Sequence, residues 1–230
     1  MTWPGRIGQS VDGERRGERS EDKRMRNISC AICESTDRQV LYKSTIREAD
    51  VLGGKVDPYG AHYQIVQCQR CGLKYANPIF DEIETQTLYT AGAHTNIARG
   101  EELNVRRTME LYYESARPHL PGRERMLDIG CDIGLLLDIA RLDGFKEIHG
   151  IEPVPVAAAV AREVPGAVVS SEFYEDQDYP SEHFDLVTLI HVVDHLVNPT
   201  PLLDRAFRHL KPGGVITAVV HNSGSFLGRV

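Results

Sequence analysis

Three groups of residues in this chain have the types and spacing to do chemistry. Cys30 and Cys33 are separated by two residues, as are Cys68 and Cys71, with thirty-four residues between the pairs. A CxxC turn brings two thiolates to one point, and two such turns make a tetrahedral sulfur cage suited to zinc. Four cysteines close the coordination sphere, so the expected zinc is structural. The second group is Met126 to Gly134, MLDIGCDIG, an apolar run closing on Asp128 and followed by Gly130 and Gly134. Backbone can approach a nucleotide-like ligand closely at such a corner between strand and helix. Eighteen residues beyond Gly134, at the end of the next expected strand, stands Glu152, which can accept hydrogen bonds from both hydroxyls of a ribose. The third group is His191, Asp194 and His195, where a histidine can exchange a proton near neutral pH. Two histidines beside an acid also suggest a metal, but no third ligand is evident in the sequence.

The elements that must position these residues follow from periodicity. After residue 123 strands are expected at 125–129, 147–152, 167–170, 184–190 and 214–220, with helices near 134–143, 155–164 and 200–210. This alternation implies an α/β fold with a parallel sheet covered on both faces and its ligand along the carboxyl edge of the strands. Upstream, Val105, Met109, Tyr112 and Ala116 recur at helical spacing, and Pro118 and Pro121-Gly122 end that helix. The cysteines sit in a small unit with strand-like runs Gln39–Lys43 and Tyr63–Gln67 and a turn-rich connector over 50–61. The expected organisation is a disordered charged tail (1–26), a zinc-binding unit (27–78), a helical connector (79–122) and a ligand-binding domain (123–230). Met25, just before the first ordered-looking segment, is an alternative point for translation to begin.

A net charge of -7 over 230 residues argues against nucleic-acid or anionic-membrane partners. No apolar run is long enough to span a bilayer, and no secretory signal precedes the first ordered segment. Cysteines paired for a metal place the protein in the cytoplasm. Cys131, the odd cysteine, is expected to be a packing residue in the glycine corner, and His94, His119, His183 and His209 are expected to face solvent.

A nicotinamide fingerprint, GxGxxG, fails here because Asp132 and Leu135 stand where its second and third glycines belong. The pattern acid-x-Gly-x-Gly-x-Gly fits Asp128, Gly130 and Gly134, with Asp132 replacing the middle glycine. With the later segments GIEPVPVAAAVA, FDLVTLIHVVDHLVNP and LLDRAFRHLKPGGVITAVVHN, the chain resembles class I S-adenosylmethionine-dependent methyltransferases over about residues 124 to 222. CQRCGLKYANP and the earlier CAIC resemble a bacterial subgroup with an N-terminal zinc-binding unit, which includes sugar C-methyltransferases and enzymes of polysaccharide and natural-product clusters. The resemblance implies a doubly wound, Rossmann-like methyltransferase fold with S-adenosylmethionine as cofactor and a small-molecule acceptor, a sugar nucleotide or natural-product intermediate.

It further implies that Asp128, Gly130 and Gly134 hold the methionine portion of the cofactor, with Asp132 adding a negative charge beside it. Glu152 would bind the ribose, Pro153 and Phe173 would lie against the adenine, and His191 would pass the sulfonium end. His195 would border the acceptor pocket, while Lys211–Gly214 is a structural turn. From its position after the fourth strand and its ability to be neutral at pH 7, His195 is the expected base where the acceptor must lose a proton. The family normally continues beyond the fifth strand, so a chain ending at Val230 is expected to be incomplete. That motivates an alternative, a non-catalytic methyltransferase-like protein that binds zinc and cofactor.

Overall fold

The computed structural model describes residues 25–45, 62–79 and 102–221. In the last of these segments, β4 (Arg125–Ile129) and β7 (Phe184–Ile190) are buried along almost their whole length. Strands this apolar need cover on both faces, which a parallel sheet with crossover helices supplies. They lie at the centre of a five-stranded sheet of order β6-β5-β4-β7-β8, which also contains β5 (Glu147–Ile151), β6 (Ala167–Ser170) and β8 (Leu210–Val219). Every neighbouring pair is parallel. Because successive side chains alternate across a strand, Met126 and Leu186 feed one core, and Leu127 and Val187 feed the other.

The flanking helices are α1 (Glu102–Ala116), α2 (Leu135–Leu142), α3 (Pro155–Ala161) and α4 (Thr200–His209). α2 buries Leu136, Leu137, Ile139 and Ala140, and α3 approaches closely through Ala157, Ala158 and Ala161. On α1 the expected stripe faces inward, with Ala116 buried and Val105, Met109 and Tyr112 half-buried. Buried Tyr113 adds a hydroxyl that donates to Asp143 at 2.7 Å. The chain runs from β4 outward through β5 and β6, then returns to the other side of β4 for β7 and β8. The strand order therefore reverses between β4 and β7, and a crevice opens at their carboxyl ends.

The cysteine unit is a separate antiparallel sheet of β1 (Arg38–Tyr42), β2 (Ile65–Cys68) and β3 (Lys74–Ala76). β3 was not among the expected strands, because three residues carry too little alternation to read. Arg26 pairs with Ile79 in an isolated bridge beside it. The expected connector over 50–61 and His94 lie outside the described residues.

Two other differences have physical causes. The fifth strand of the sheet begins at Leu210, ahead of the expected 214, because the Lys211–Gly214 turn is absorbed as an irregularity between the pairs Phe184↔Leu210 and Leu186↔Val215. His209 does not face solvent. It is buried with its Nδ1 2.7 Å from the Tyr174 hydroxyl, since it lies on the inner face of α4 beside Leu202 and Ala206. His183 is half-buried, and His119 is exposed as expected. No helix among the described residues is long and apolar enough to cross a membrane.

Candidate active site and cysteine cluster

The corner after β4 is built by backbone constraint. Gly130 has φ +76°, and a Cβ there would lie 2.5 Å from the Val192 side chain, so only glycine fits without strain and without displacing that side chain. Asp132 takes φ +45°, the left-handed conformation a glycine would adopt at that position and one that Asp tolerates better than most residues. Its backbone N–H donates to Glu152 Oε2 at 3.0 Å, while Val154 N–H donates to Glu152 Oε1 at 2.8 Å. One carboxylate thus ties the corner after β4 to the corner after β5. Each of its oxygens keeps a second lone pair for a ligand.

Asp128, Gly130, Asp132, Glu152, His191 and His195 line one cavity of about 450 Å³ at the switch point, with Val105, Thr108 and Met109 of α1 on its far wall. Asp128 is buried and accepts a hydrogen bond from the Thr188 hydroxyl at 2.6 Å. Burial, reinforced by the neighbouring Glu152 charge, pushes its carboxyl from 3.8 up to about 7. Burial also raises Glu152 above the usual carboxylate range, against the pull of its two backbone donors. A cavity walled by two such acids favours a ligand with positive charge and hydroxyl donors.

Three expected site residues lie outside this lining. Gly134, at φ +82°, is the N-cap of α2, and a Cβ on it would sit 3.1 Å from the Ala161 backbone. Its place in the structure is the close packing of α2 on α3. Pro153 and Phe173, both half-buried, directly follow the corners after β5 and β6 and are not among the residues that line the cavity. Cys131 is buried and packs against Gly150, the packing role expected of it.

His191 and His195 are carried by the turn after β7, where Val193–His195 forms a single 3-10 turn. His191 sits at φ +54° with its N–H donating to Val219 O at 2.8 Å, which fixes the residue between the ends of β7 and β8. Burial, then the nearby His221, holds its ring below the usual imidazole range. His221 is the site residue the sequence reading missed. It lies 4.6 Å from His191 between ring centroids, and its Nδ1 is 2.8 Å from Asp194 Oδ2. The available signal was its position just past the carboxyl end of the last strand, β8, on the edge where ligands of doubly wound sheets gather.

A second cavity, about 700 Å³, lies between the cysteine unit and the domain. Tyr63, Lys74 and Tyr75 contribute from one side and Asp194 and Val197 from the other, while His195 and His221 border both cavities. Its size is that of a small-molecule site.

In the cysteine unit, Cys30 and Cys33 flank a tight turn, Cys68 ends β2 and Cys71 follows in the β2–β3 turn. All four are free thiols whose sulfurs lie within 4.8 Å of one another, with Cys30–Cys71 at 3.4 Å and Cys33–Cys68 at 3.5 Å. Zinc–sulfur bonds of about 2.3 Å place tetrahedral sulfurs about 3.8 Å apart, so the donor set and spacing fit zinc.

The Asp128 environment has a measurable consequence. Its carboxyl binds a proton more tightly folded than unfolded, so its contribution to stability is complete below pH about 4 and is lost as pH rises through about 7. Asp128→Asn should therefore gain stability relative to the parent across that window, by about 1.4 kcal/mol per pH unit at most. Urea unfolding at several pH values reads this directly, and a pH-independent difference would show an ordinary carboxylate.

Residues 102–229 match the methyltransferase-domain family, a span that takes in α1 and the whole parallel sheet. Among curated relatives, the ubiquinone biosynthesis O-methyltransferase of Nitrobacter winogradskyi is 35% identical over 104 residues, covering 43% of this chain and 39% of that protein. The enzyme of the same name from Xanthomonas oryzae pv. oryzae is 35% identical over 121 residues, covering 49% and 48%. The chain thus spans less than half the length of these two relatives. A solved S-adenosylmethionine-dependent methyltransferase from Thermotoga maritima overlaps with a TM-score of 0.44 at 28% identity, over 54% of this chain and 57% of that one. With more than half of its residues matched, the chain belongs to the methyltransferase-domain family.

Proposed function

We propose that this chain transfers a methyl group from S-adenosylmethionine to an oxygen of a small-molecule acceptor. The observation that carries the reading is the convergence of Asp128, Gly130, Asp132 and Glu152 on one cavity at the switch point of a methyltransferase-family sheet. S-adenosylmethionine supplies an electrophilic methyl group on a sulfonium, so the protein's task is to hold two reactants in line and exclude water.

Glu152 accepts the ribose hydroxyls on the lone pairs its backbone donors leave open. Asp128 and Asp132 offset the positive charge of the methionine end, and the Gly130 backbone gives it room. Gly134 supports this corner from beneath by packing α2 on α3. Pro153 and Phe173, following β5 and β6, flank the adenine, and His191 borders the sulfonium end. The acceptor occupies the second cavity, where His195 stands between acceptor and cofactor and takes the proton an attacking hydroxyl must lose. A sugar nucleotide or natural-product intermediate suits its size and mixed lining, and the O-methyltransferase names of the curated relatives support an oxygen acceptor. Zinc at Cys30, Cys33, Cys68 and Cys71 holds the 27–78 unit together, whose described residues bury too few apolar side chains to fold well alone.

Calorimetry should show S-adenosylmethionine and its demethylated product binding to the full chain. Glu152→Ala should weaken both by about 2–4 kcal/mol, roughly 30- to 1000-fold, from the loss of two charge-assisted bonds. Tight binding of NAD in place of these ligands would overturn the reading. With an acceptor in hand, His195→Ala should lower kcat about 100-fold with cofactor affinity nearly unchanged, whereas equal loss of affinity would make it a structural residue. Metal analysis should find zinc in the purified chain. Cys68→Ser should speed hydrogen exchange over 27–78 and spare the parallel sheet, and full protection of that unit in a zinc-free preparation would remove the structural role.

A further inference from the structure

The cysteine cage does not exhaust the metal-binding chemistry of this chain. His191 directly follows β7, Asp194 lies in the turn after it, and His221 is the second residue beyond the end of β8. The topology brings them together at the reversal of the sheet, and one ligand atom from each lies within 4.8 Å of the others. Ligands bound to a first-row divalent ion at about 2.1 Å sit about 3.0–3.4 Å apart, so the 2.8 Å between Asp194 Oδ2 and His221 Nδ1 is close to that of neighbouring ligands.

A plain hydrogen bond between Asp194 and His221 explains that pair but not the third member. His191 Nδ1 is buried and has no hydrogen-bond partner among the described residues. A buried ring nitrogen without a partner is costly unless something not drawn from the protein reaches it. His221 and Asp194 are exposed, so an ion can enter from solvent without opening the fold.

We propose that His191, Asp194 and His221 form a second metal site, for a first-row divalent cation. Two imidazoles and one carboxylate suit Zn²⁺, Co²⁺ or Fe²⁺ better than the hard ions Mg²⁺ and Ca²⁺. Three protein ligands leave coordination positions open, in contrast to the closed four-cysteine cage. His191 borders the first cavity, Asp194 the second and His221 both. The open positions therefore face the junction at which the proposed acceptor meets the proposed cofactor, and they can hold an acceptor oxygen there. That role rests on the methyltransferase reading, while the binding of the ion does not.

The test uses the full chain with its cysteine site loaded with zinc, titrated with Co²⁺ in the absence of any cofactor. One further Co²⁺ per chain should bind, with the weak visible absorption of nitrogen and oxygen ligands and without the intense thiolate bands of cysteine-bound cobalt. Asp194→Ala and His221→Ala should each weaken that binding by more than about 100-fold, since losing even an outer-sphere partner costs about 10–100-fold. Both positions are exposed, and the unfolding midpoints of the two variants without Co²⁺ check that the fold is kept. Absence of a further Co²⁺ equivalent, or affinity in both variants equal to the parent's, would overturn the site. Failure here would leave the cofactor reading standing, because calorimetry with S-adenosylmethionine reads that separately.

Discussion

The arrangement depends on one buried carboxylate. Glu152 accepts the N–H of Asp132 with one oxygen and that of Val154 with the other, and so locks the loops after β4 and β5 to each other. The lock works only because Gly130 leaves no side chain in the way of Val192 and because Asp132 accepts a left-handed backbone. Asp128, buried nearby and raised by burial and by the Glu152 charge, places a second acid against the same cavity. Two acids in a low-dielectric crevice are unfavourable alone and become favourable with a cationic, hydroxyl-bearing ligand. The electrostatics of this crevice are thus better suited to a ligand than to being empty.

The parallel sheet sets where these corners lie. Its strand order reverses between β4 and β7, which places the corners after β4 and β5 beside the turn that carries His191 and His195. The helix α1 closes the far wall through Val105, Thr108 and Met109. The cysteine unit then presents Tyr63, Lys74 and Tyr75 across the second cavity. A closed sulfur cage can fix the loops that carry such a wall, whereas the His191–Asp194–His221 cluster opens toward it.

Much of this was legible in the sequence because it rests on local patterns. Apolar runs bounded by glycine and proline marked β4, β5, β6 and β7 to within about a residue, and CxxC spacing marked four cysteines that meet in space. What escaped depends on tertiary contact. The place of Gly134 is visible only once Ala161 is packed on it, and His209 is buried by the face α4 happens to turn inward. His221 is thirty residues from His191 in sequence, and only the pairing of β7 with β8 makes them neighbours. The resemblance makes Lys211–Gly214 a turn leading into the strand, yet register with β7 carries the strand through it.

The most direct test of the central claim is a crystal structure of the full chain with S-adenosylhomocysteine. The account predicts both ribose hydroxyls within hydrogen-bond distance of the Glu152 carboxylate, the amino-acid end beside Asp128 and Gly130, and the sulfur facing His191. A cofactor bound elsewhere, or one whose ribose is held without Glu152, would contradict it.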